Sequence, residues 1–321
     1  MTTSIPVIRL DDPDLSETVQ KLRKACIEVG FFYLEGHGLD PSFLEAVFHQ
    51  SKSLFDLPLE TKNSLTDPET SRGYTGMEEE TLDPSRQTKG DTKEGFYICR
   101  HVPPEDPRYN PAKLRVPNIW PRDMPDFRST MEAYYEQMAA IAYRVVELIA
   151  LALDLPKDHF QDDFSFPLDA LRLLHYAAED SHPDEGVFAC GAHSDYGMIT
   201  LLLTDDHPGL QILSKDNHWI DAPPRPGALI VNLGDMLERW TNGLFRSTLH
   251  RVVTQASQGE RYSIPFFYEP NFDCVVECLP SCCSKDHPAK YPPTTSGEHL
   301  LEKYRQTHAD FKGSGEEEVA G

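Results

Sequence analysis

His193 and Asp195 lie two residues apart in Gly191-Ala192-His193-Ser194-Asp195-Tyr196-Gly197, at the mouth of an expected strand. Residues two apart on a strand point to one face, so this spacing can aim an imidazole and a carboxylate at one point. His250, in Ser247-Thr248-Leu249-His250-Arg251-Val252-Val253, begins or lies within a later strand. The stretch between Asp195 and His250 is long enough for several strands to bring the chain back to the same end of a barrel. Two histidines and one carboxylate on one face of an octahedral metal leave three open positions, a pattern diagnostic of non-haem Fe(II) oxygenases. On these residues alone, a pair of hydrogen-bonded core histidines is the competing reading. A second His-x-Asp, His182-Pro183-Asp184, sits among charged and turn residues and reads as a surface loop.

Further along, Arg261 and Ser263 share one face of the expected strand 261–268. A guanidinium fits a carboxylate at two points, and a serine hydroxyl adds a third donor. If that face is interior, the arginine needs an anion, because an unpaired buried charge is costly. On an outward face Arg261 would be an ordinary surface residue. Pro265 removes one backbone donor, which predicts an edge or irregularity there.

The elements that must position these groups fall into two textures. Residues 5–10 read as a strand. Ser16 reads as the cap of a helix ended by Gly30, and 31–34 as a buried strand. Pro41 opens a second helix. Residues 66–93, polar and rich in Gly and Pro, read as a long loop. Met131, Tyr134, Met138, Ile141, Val145 and Leu148 recur at helical spacing within a helix over 125–153, read as a packing element. After residue 169, short apolar runs alternate with turns: 171–176, 198–203, 210–213, 228–233, 249–253, 261–268 and 274–277. That rhythm predicts an antiparallel sandwich or jelly roll, closed by a helix over 297–310. The expected fold class is α+β with a mainly β core. The N-terminal region is 1–165, the β core with its closing helix 166–312, and a disordered tail 313–321.

Bulk properties narrow the partners. The chain has 321 residues and a formal net charge of -22, which argues against nucleic acid or an anionic membrane as partner. No apolar stretch reaches membrane-spanning length, and the first residues lack the pattern of a secretory signal. Seven cysteines, an odd number scattered through the chain, predict reduced thiols in a cytoplasmic protein. Cys278, Cys282 and Cys283 cluster without the second ligand pair a zinc site needs. The composition is silent on oligomeric state.

Taken together, His193-x-Asp195, His250 and Arg261-x-Ser263 resemble the 2-oxoglutarate-dependent dioxygenases of the isopenicillin N synthase-like superfamily. Gly30-Phe31-Phe32-Tyr33, Gly36-His37-Gly38, Arg72-Gly73-Tyr74 and Asn232-Leu233-Gly234-Asp235-Met236-Leu237 extend the resemblance over nearly the whole chain. The layout is similar to thymine-hydroxylase-like and plant-type members. The resemblance implies a distorted double-stranded β-helix, cupin-like, with flanking helices. It implies Fe(II) at His193, Asp195 and His250, and 2-oxoglutarate at Arg261 and Ser263 with help from Tyr176. Leu174 departs from the pattern, since an asparagine is common there. Phe267 matches a position that often stacks on substrate. With dioxygen as co-substrate and ascorbate as a candidate reductant, the implied reaction oxidises a small organic molecule by hydroxylation, desaturation or ring closure, with release of succinate and carbon dioxide. Three alternatives stay open at this point. An oxidase of the same superfamily would not consume 2-oxoglutarate, a Zn(II) hydrolase would be rescued by a different metal, and a scaffold protein would lack metal affinity. Arg72, Tyr74, Glu94 and Phe96, in or beside the long loop, are expected to form a substrate wall with Phe267, against the alternative of a solvated connector.

Overall fold

The computed structural model describes residues 4–67, 70 and 72–307. The tail expected over 313–321 lies outside the described residues.

The N-terminal part runs β1 (Val7–Arg9), α1 (Leu15–Glu28), β2 (Phe31–Glu35), α2 (Pro41–Phe55), α3 (Leu59–Asn63), β3 (Thr66–Asp67), β4 (Arg72–Thr75), β5 (Lys93–Cys99) and the long α4 (Phe127–Ala152). It continues through β6 (Ala170–Tyr176), β7 (Cys190–His193), β8 (Ile199–Thr204), β9 (Leu210–Leu213), β10 (Trp219–Asp221), β11 (Leu229–Leu233), α5 (Asp235–Trp240), β12 (His250–Val252) and β13 (Arg261–Tyr268). A small pair, β14 (Val275–Val276) and β15 (Thr294–Thr295), leads into α6 (Ser296–Thr307).

Among the described residues the strands form a nine-stranded sheet in the order β1-β2-β11-β8-β13-β6-β5-β4-β3, a four-stranded sheet in the order β10-β9-β12-β7, and the β14-β15 pair. The two larger sheets form the double-stranded β-helix core, flanked by helices. Side-chain alternation explains why strands such as Phe31-Phe32-Tyr33-Leu34 are apolar throughout. Phe32 and Leu34 enter the core under α4, while Phe31 and Tyr33 enter a second core between the sheets. On β6, Leu171 and Leu173 face the α4 side and Leu174 and Tyr176 the inter-sheet side. The helical stripe of α4 is buried as its spacing predicts, including Met131, Tyr134, Met138, Val145 and Ile149. Each such side chain contributes roughly 1.5–3 kcal/mol of burial before conformational entropy is subtracted. No helix among the described residues is long and apolar enough to cross a membrane.

Three local expectations differ from the structure. The cap of α1 is Asp14, whose carboxylate accepts from the Glu17 amide at 2.9 Å, and Ser16 lies inside the first turn. Gly30 does end the turn: its φ is +74°, and a Cβ there would lie 2.4 Å from the Arg246 carbonyl oxygen. The polar stretch 66–93 is not one long loop. It holds β3 and β4 and the start of β5, which pairs Lys93 with Tyr176 and Tyr97 with Arg172 and so widens the main sheet. Lys93 is buried there as an ion pair with Asp91 and Glu80, which local composition cannot reveal. β10, three residues long, is not among the expected strands.

Candidate active site

His193 ends β7 and His250 opens β12. They are direct partners across this antiparallel ladder, so both rings leave the same face, 4.2 Å apart between centroids. The carboxylate is delivered differently from the expectation. β7 stops at His193, so strand alternation does not aim Asp195. Its Oδ2 instead accepts from Thr200 Oγ1 on β8 at 2.5 Å and from Asn232 Nδ2 on β11 at 2.7 Å. That leaves Oδ1 turned to the histidines, 3.6 Å from Nε2 of each. One potential ligand atom from each of the three residues lies within 4.8 Å of the other two, the geometry of a metal-holding group. The smaller sheet therefore supplies the imidazoles, and the larger sheet orients the carboxylate.

Each imidazole is also oriented from behind. His193 Nδ1 donates to the Gly191 carbonyl at 2.8 Å and His250 Nδ1 to the Thr248 carbonyl at 3.1 Å, which leaves both Nε2 lone pairs for a metal. Burial and the neighbouring His193 push the His250 imidazole down to about 4. Burial alone would raise Asp195, but the flanking histidines and the Asn232 and Thr200 donors hold it below the ordinary carboxylate value.

Two cavities meet at this triad. One, with about 560 Å³ of empty space, runs between the sheets and is lined by Tyr176, Arg261 and Ser263 as well as by all three triad residues. Arg261 pairs across the ladder with Tyr176, its guanidinium 4.9 Å from the ring centre, and one of its terminal nitrogens donates to Ser263 Oγ at 3.2 Å. Arg261 is 2% exposed, its Nε has no acceptor, and no described carboxylate pairs with it. A buried cation of this kind is suited to an anionic ligand. The donor set and this open anion site both fit Fe(II) with 2-oxoglutarate.

The second cavity, with about 850 Å³ of empty space including its mouth, is lined by His193 and Asp195 on one side and by Arg72, Tyr97, Arg172, Phe267, Glu269 and Tyr304 among others. Of the expected wall residues it receives Arg72 and Phe267. Tyr74, Glu94 and Phe96 are not brought there. Alternation on β5 sends Lys93 and Tyr97 toward the site side and Glu94 and Phe96 away from it. Phe96 packs edge-on against Phe127 of α4, 5.7 Å between ring centres, and Tyr74 donates to Glu94 inside a buried cluster. The decoy His182 pairs with Val187 beside a short 3-10 turn and lines neither cavity. Sequence reasoning misses Thr200, Asn232, Arg172 and Glu269. Asn232 stands within one of the motifs that carry the family resemblance, but nothing local marks its hydrogen bond to Asp195.

With this geometry in view, comparison with known proteins is decisive. Residues 5–123 match the family description "non-haem dioxygenase in morphine synthesis N-terminal", and 168–270 match "2OG-Fe(II) oxygenase superfamily". The chain is 37% identical over 319 residues to azadirone synthase LFS of Melia azedarach, covering 97% of this chain and 95% of that protein. The chain belongs to the 2-oxoglutarate–Fe(II) oxygenase superfamily. The crystal structure of a full-length Neurospora crassa protein in complex with alpha-KG and thymine superposes with a TM-score of 0.81 at 33% identity, covering 94% of this chain and 96% of that one. JOX2 in complex with 2OG, Fe and JA gives a TM-score of 0.77 at 29% identity, with 94% and 85% covered. This 2-oxoglutarate–Fe(II) oxygenase is thus an oxidoreductase that acts on a small organic molecule through a His-Asp-His triad and releases succinate and carbon dioxide.

Proposed function

We propose that this oxygenase hydroxylates its substrate, with Fe(II) on His193, Asp195 and His250. The far carboxylate of 2-oxoglutarate lies on Arg261 and Ser263, beside Tyr176, and the substrate enters the larger cavity against Phe267. The observation that carries this reading is Arg261, a buried guanidinium without a described acid, facing the triad across the inter-sheet cavity. Iron with dioxygen supplies the oxidising chemistry, coupling decarboxylation of 2-oxoglutarate to oxidation of the substrate. The protein's share is positional. The Gly191 and Thr248 carbonyls fix the imidazole tautomers, and Thr200 and Asn232 keep one Asp195 oxygen turned to the metal position. Phe31, Leu210 and Val252 keep the inter-sheet cavity apolar around the anion site. Two of the similar structures hold a further small organic molecule beside the co-substrate, thymine in the Neurospora crassa protein and JA in JOX2. Seven unpaired cysteines support a cytoplasmic setting.

Arg261→Lys tests the assignment. It keeps the charge and loses the planar two-point fit. One or two charge-assisted hydrogen bonds lost should raise the Michaelis constant for 2-oxoglutarate about 10–100-fold, read by succinate release. A matching rise for the primary substrate, or an effect on that substrate alone, would refute the anchor role.

A further inference from the structure

The larger cavity contains one group the reaction does not use. Most charged side chains lining it are engaged. Arg100 pairs with Asp169 at 2.8 Å and Arg172 with Glu80 at 3.0 Å. Arg72 donates to the carbonyls of Thr70 and Leu114 at 3.0 and 2.7 Å. Asp195 is held by Thr200 and Asn232. Glu269 differs: it is 5% exposed, lines the cavity immediately after β13, and its buried Oε2 has no hydrogen-bond partner among the described residues. It is also fixed in place. The side chain lies along the backbone of Gly197, two residues beyond Asp195, where an added Cβ would come within 2.3 Å of Glu269 Cγ. Burial, with Asp195 and Asp169 nearby, pushes this carboxyl up to about 8.

A buried acid that no protein donor meets is unfavourable unless something in the cavity supplies one. A structural role would have paired Glu269 with the protein, as the other acids of the cavity are paired. It lines the same cavity as His193 and Asp195, packs against Gly197, and lies near enough to Asp195 for the two charges to interact.

We infer that Glu269 is the specificity-determining residue of this site and that it receives a nitrogen-borne hydrogen-bond donor of the substrate, an ammonium or an amide N–H close to the carbon that is oxidised. This rests on the proposed placement of substrate in the larger cavity. It names the substrate class as an apolar body with a nitrogen donor. Phe267, Tyr97 and Leu300 would take the body, and Glu269 the donor. An ionised Glu269 would choose the ammonium. A neutral one, which offers one donor and one acceptor together, would choose the amide.

The test uses four matched probes: cyclohexylmethylamine, cyclohexanecarboxamide, methyl cyclohexanecarboxylate and cyclohexanecarboxylate. Their binding to the Fe(II)- and 2-oxoglutarate-loaded protein is measured by calorimetry under nitrogen. The wild type should bind the amine or the amide about tenfold or more tightly than the ester and the acid, the size expected when a buried acceptor is left unmet. Glu269→Leu should reduce that ratio to near one. Glu269→Gln should keep an amide preference if the neutral pair is used and lose an amine preference if the ion pair is used. A wild type that binds neither donor probe better than the ester, or a preference that survives Glu269→Leu in a protein melting as wild type does, overturns the inference. The proposed function is judged separately, by whether the wild type converts 2-oxoglutarate to succinate under air with Fe(II) alone.

Discussion

At the residue scale, the triad works because groups behind it remove its freedom. His193, Asp195 and His250 are legible in the sequence because their types and spacing are chemically specific, and the decoy His182-Pro183-Asp184 is set aside by its turn-rich surroundings. The aim of Asp195 is not legible. It depends on Thr200 and Asn232, which reach it from two strands that neighbour each other only in the folded sheet. This difference can be measured. Asn232→Ala removes one of two donors to Asp195 Oδ2 and leaves all three candidate ligands intact. Loss of such a supporting hydrogen bond should weaken Fe(II) binding about 10–100-fold, read by anaerobic titration, with little change in 2-oxoglutarate affinity at saturating metal. Asp184→Ala, on the exposed 3-10 turn, should leave metal affinity as it is. Equal metal affinity in wild type and Asn232→Ala would show that the second oxygen of Asp195 needs no orientation.

At the element scale, the informative strand is β5. Its sequence Lys93-Glu94-Gly95-Phe96-Tyr97-Ile98-Cys99 begins with two charges, and composition alone assigns its start to a loop. The structure buries both charges by pairing them on opposite faces. Lys93, on the site side, meets Asp91, and Glu80 at 2.7 Å. Glu94, on the α2–α3 side, accepts from Lys62 at 2.6 Å, from Tyr74 at 2.5 Å and from His175 at 2.7 Å. Apart from the neighbouring Asp91, the charge partners come from distant parts of the sequence (Lys62, Tyr74, Glu80 and His175) and convert a polar segment into an interior strand, and no local pattern encodes them. They also give Glu94 a structural role in place of the expected contact with substrate. Glu94→Gln should cost about 3–5 kcal/mol, the loss typical when one member of a buried ion pair is removed. Burial works against ionisation here, but His175, Lys62 and Tyr74 together lower the Glu94 carboxyl below its ordinary 4.5. A lowered folded value means stabilisation that is complete above 4.5 and is lost as pH falls through that lower value. Denaturant melts should therefore separate wild type from Glu94→Gln widely at about pH 7 and less as the pH falls below 4.5. A gap independent of pH would assign the loss to packing alone.

At the scale of the whole molecule, the larger cavity is a product of chain closure. Its walls come from β4, β5, β6 and β13, and its last wall comes from α6 near the end of the described chain, through Leu300 and Tyr304. The helix is legible from its composition, but its task is not, because nothing in residues 296–307 signals what they cover. Several contacts hold it, among them the following. Its first amides, Ser296 and Gly297, donate to the carbonyls of Cys274 and Phe272, each at 2.9 Å. Lys303 pairs with Asp235 of α5 at 3.0 Å. The entry is tight, since a Cβ on Gly297 would meet the Phe272 ring at 2.5 Å. Closure matters because a site that activates oxygen must exclude water and unwanted targets. Two variants separate the side chain from the helix position. Tyr304→Ala removes part of the wall and leaves the helix in place, while Gly297→Val forces the helix off Phe272. Neither residue lines the inter-sheet cavity that holds Arg261. With a substrate identified by succinate release, both variants should raise its Michaelis constant and lower the yield of oxidised product per succinate several-fold. The Michaelis constant for 2-oxoglutarate should change far less. An effect of Gly297→Val alone would make the position of α6 the important variable. An effect of Tyr304→Ala alone would assign closure to the phenol ring. If both keep full coupling, the cavity is closed by the strands, and α6 serves only to cap Phe272.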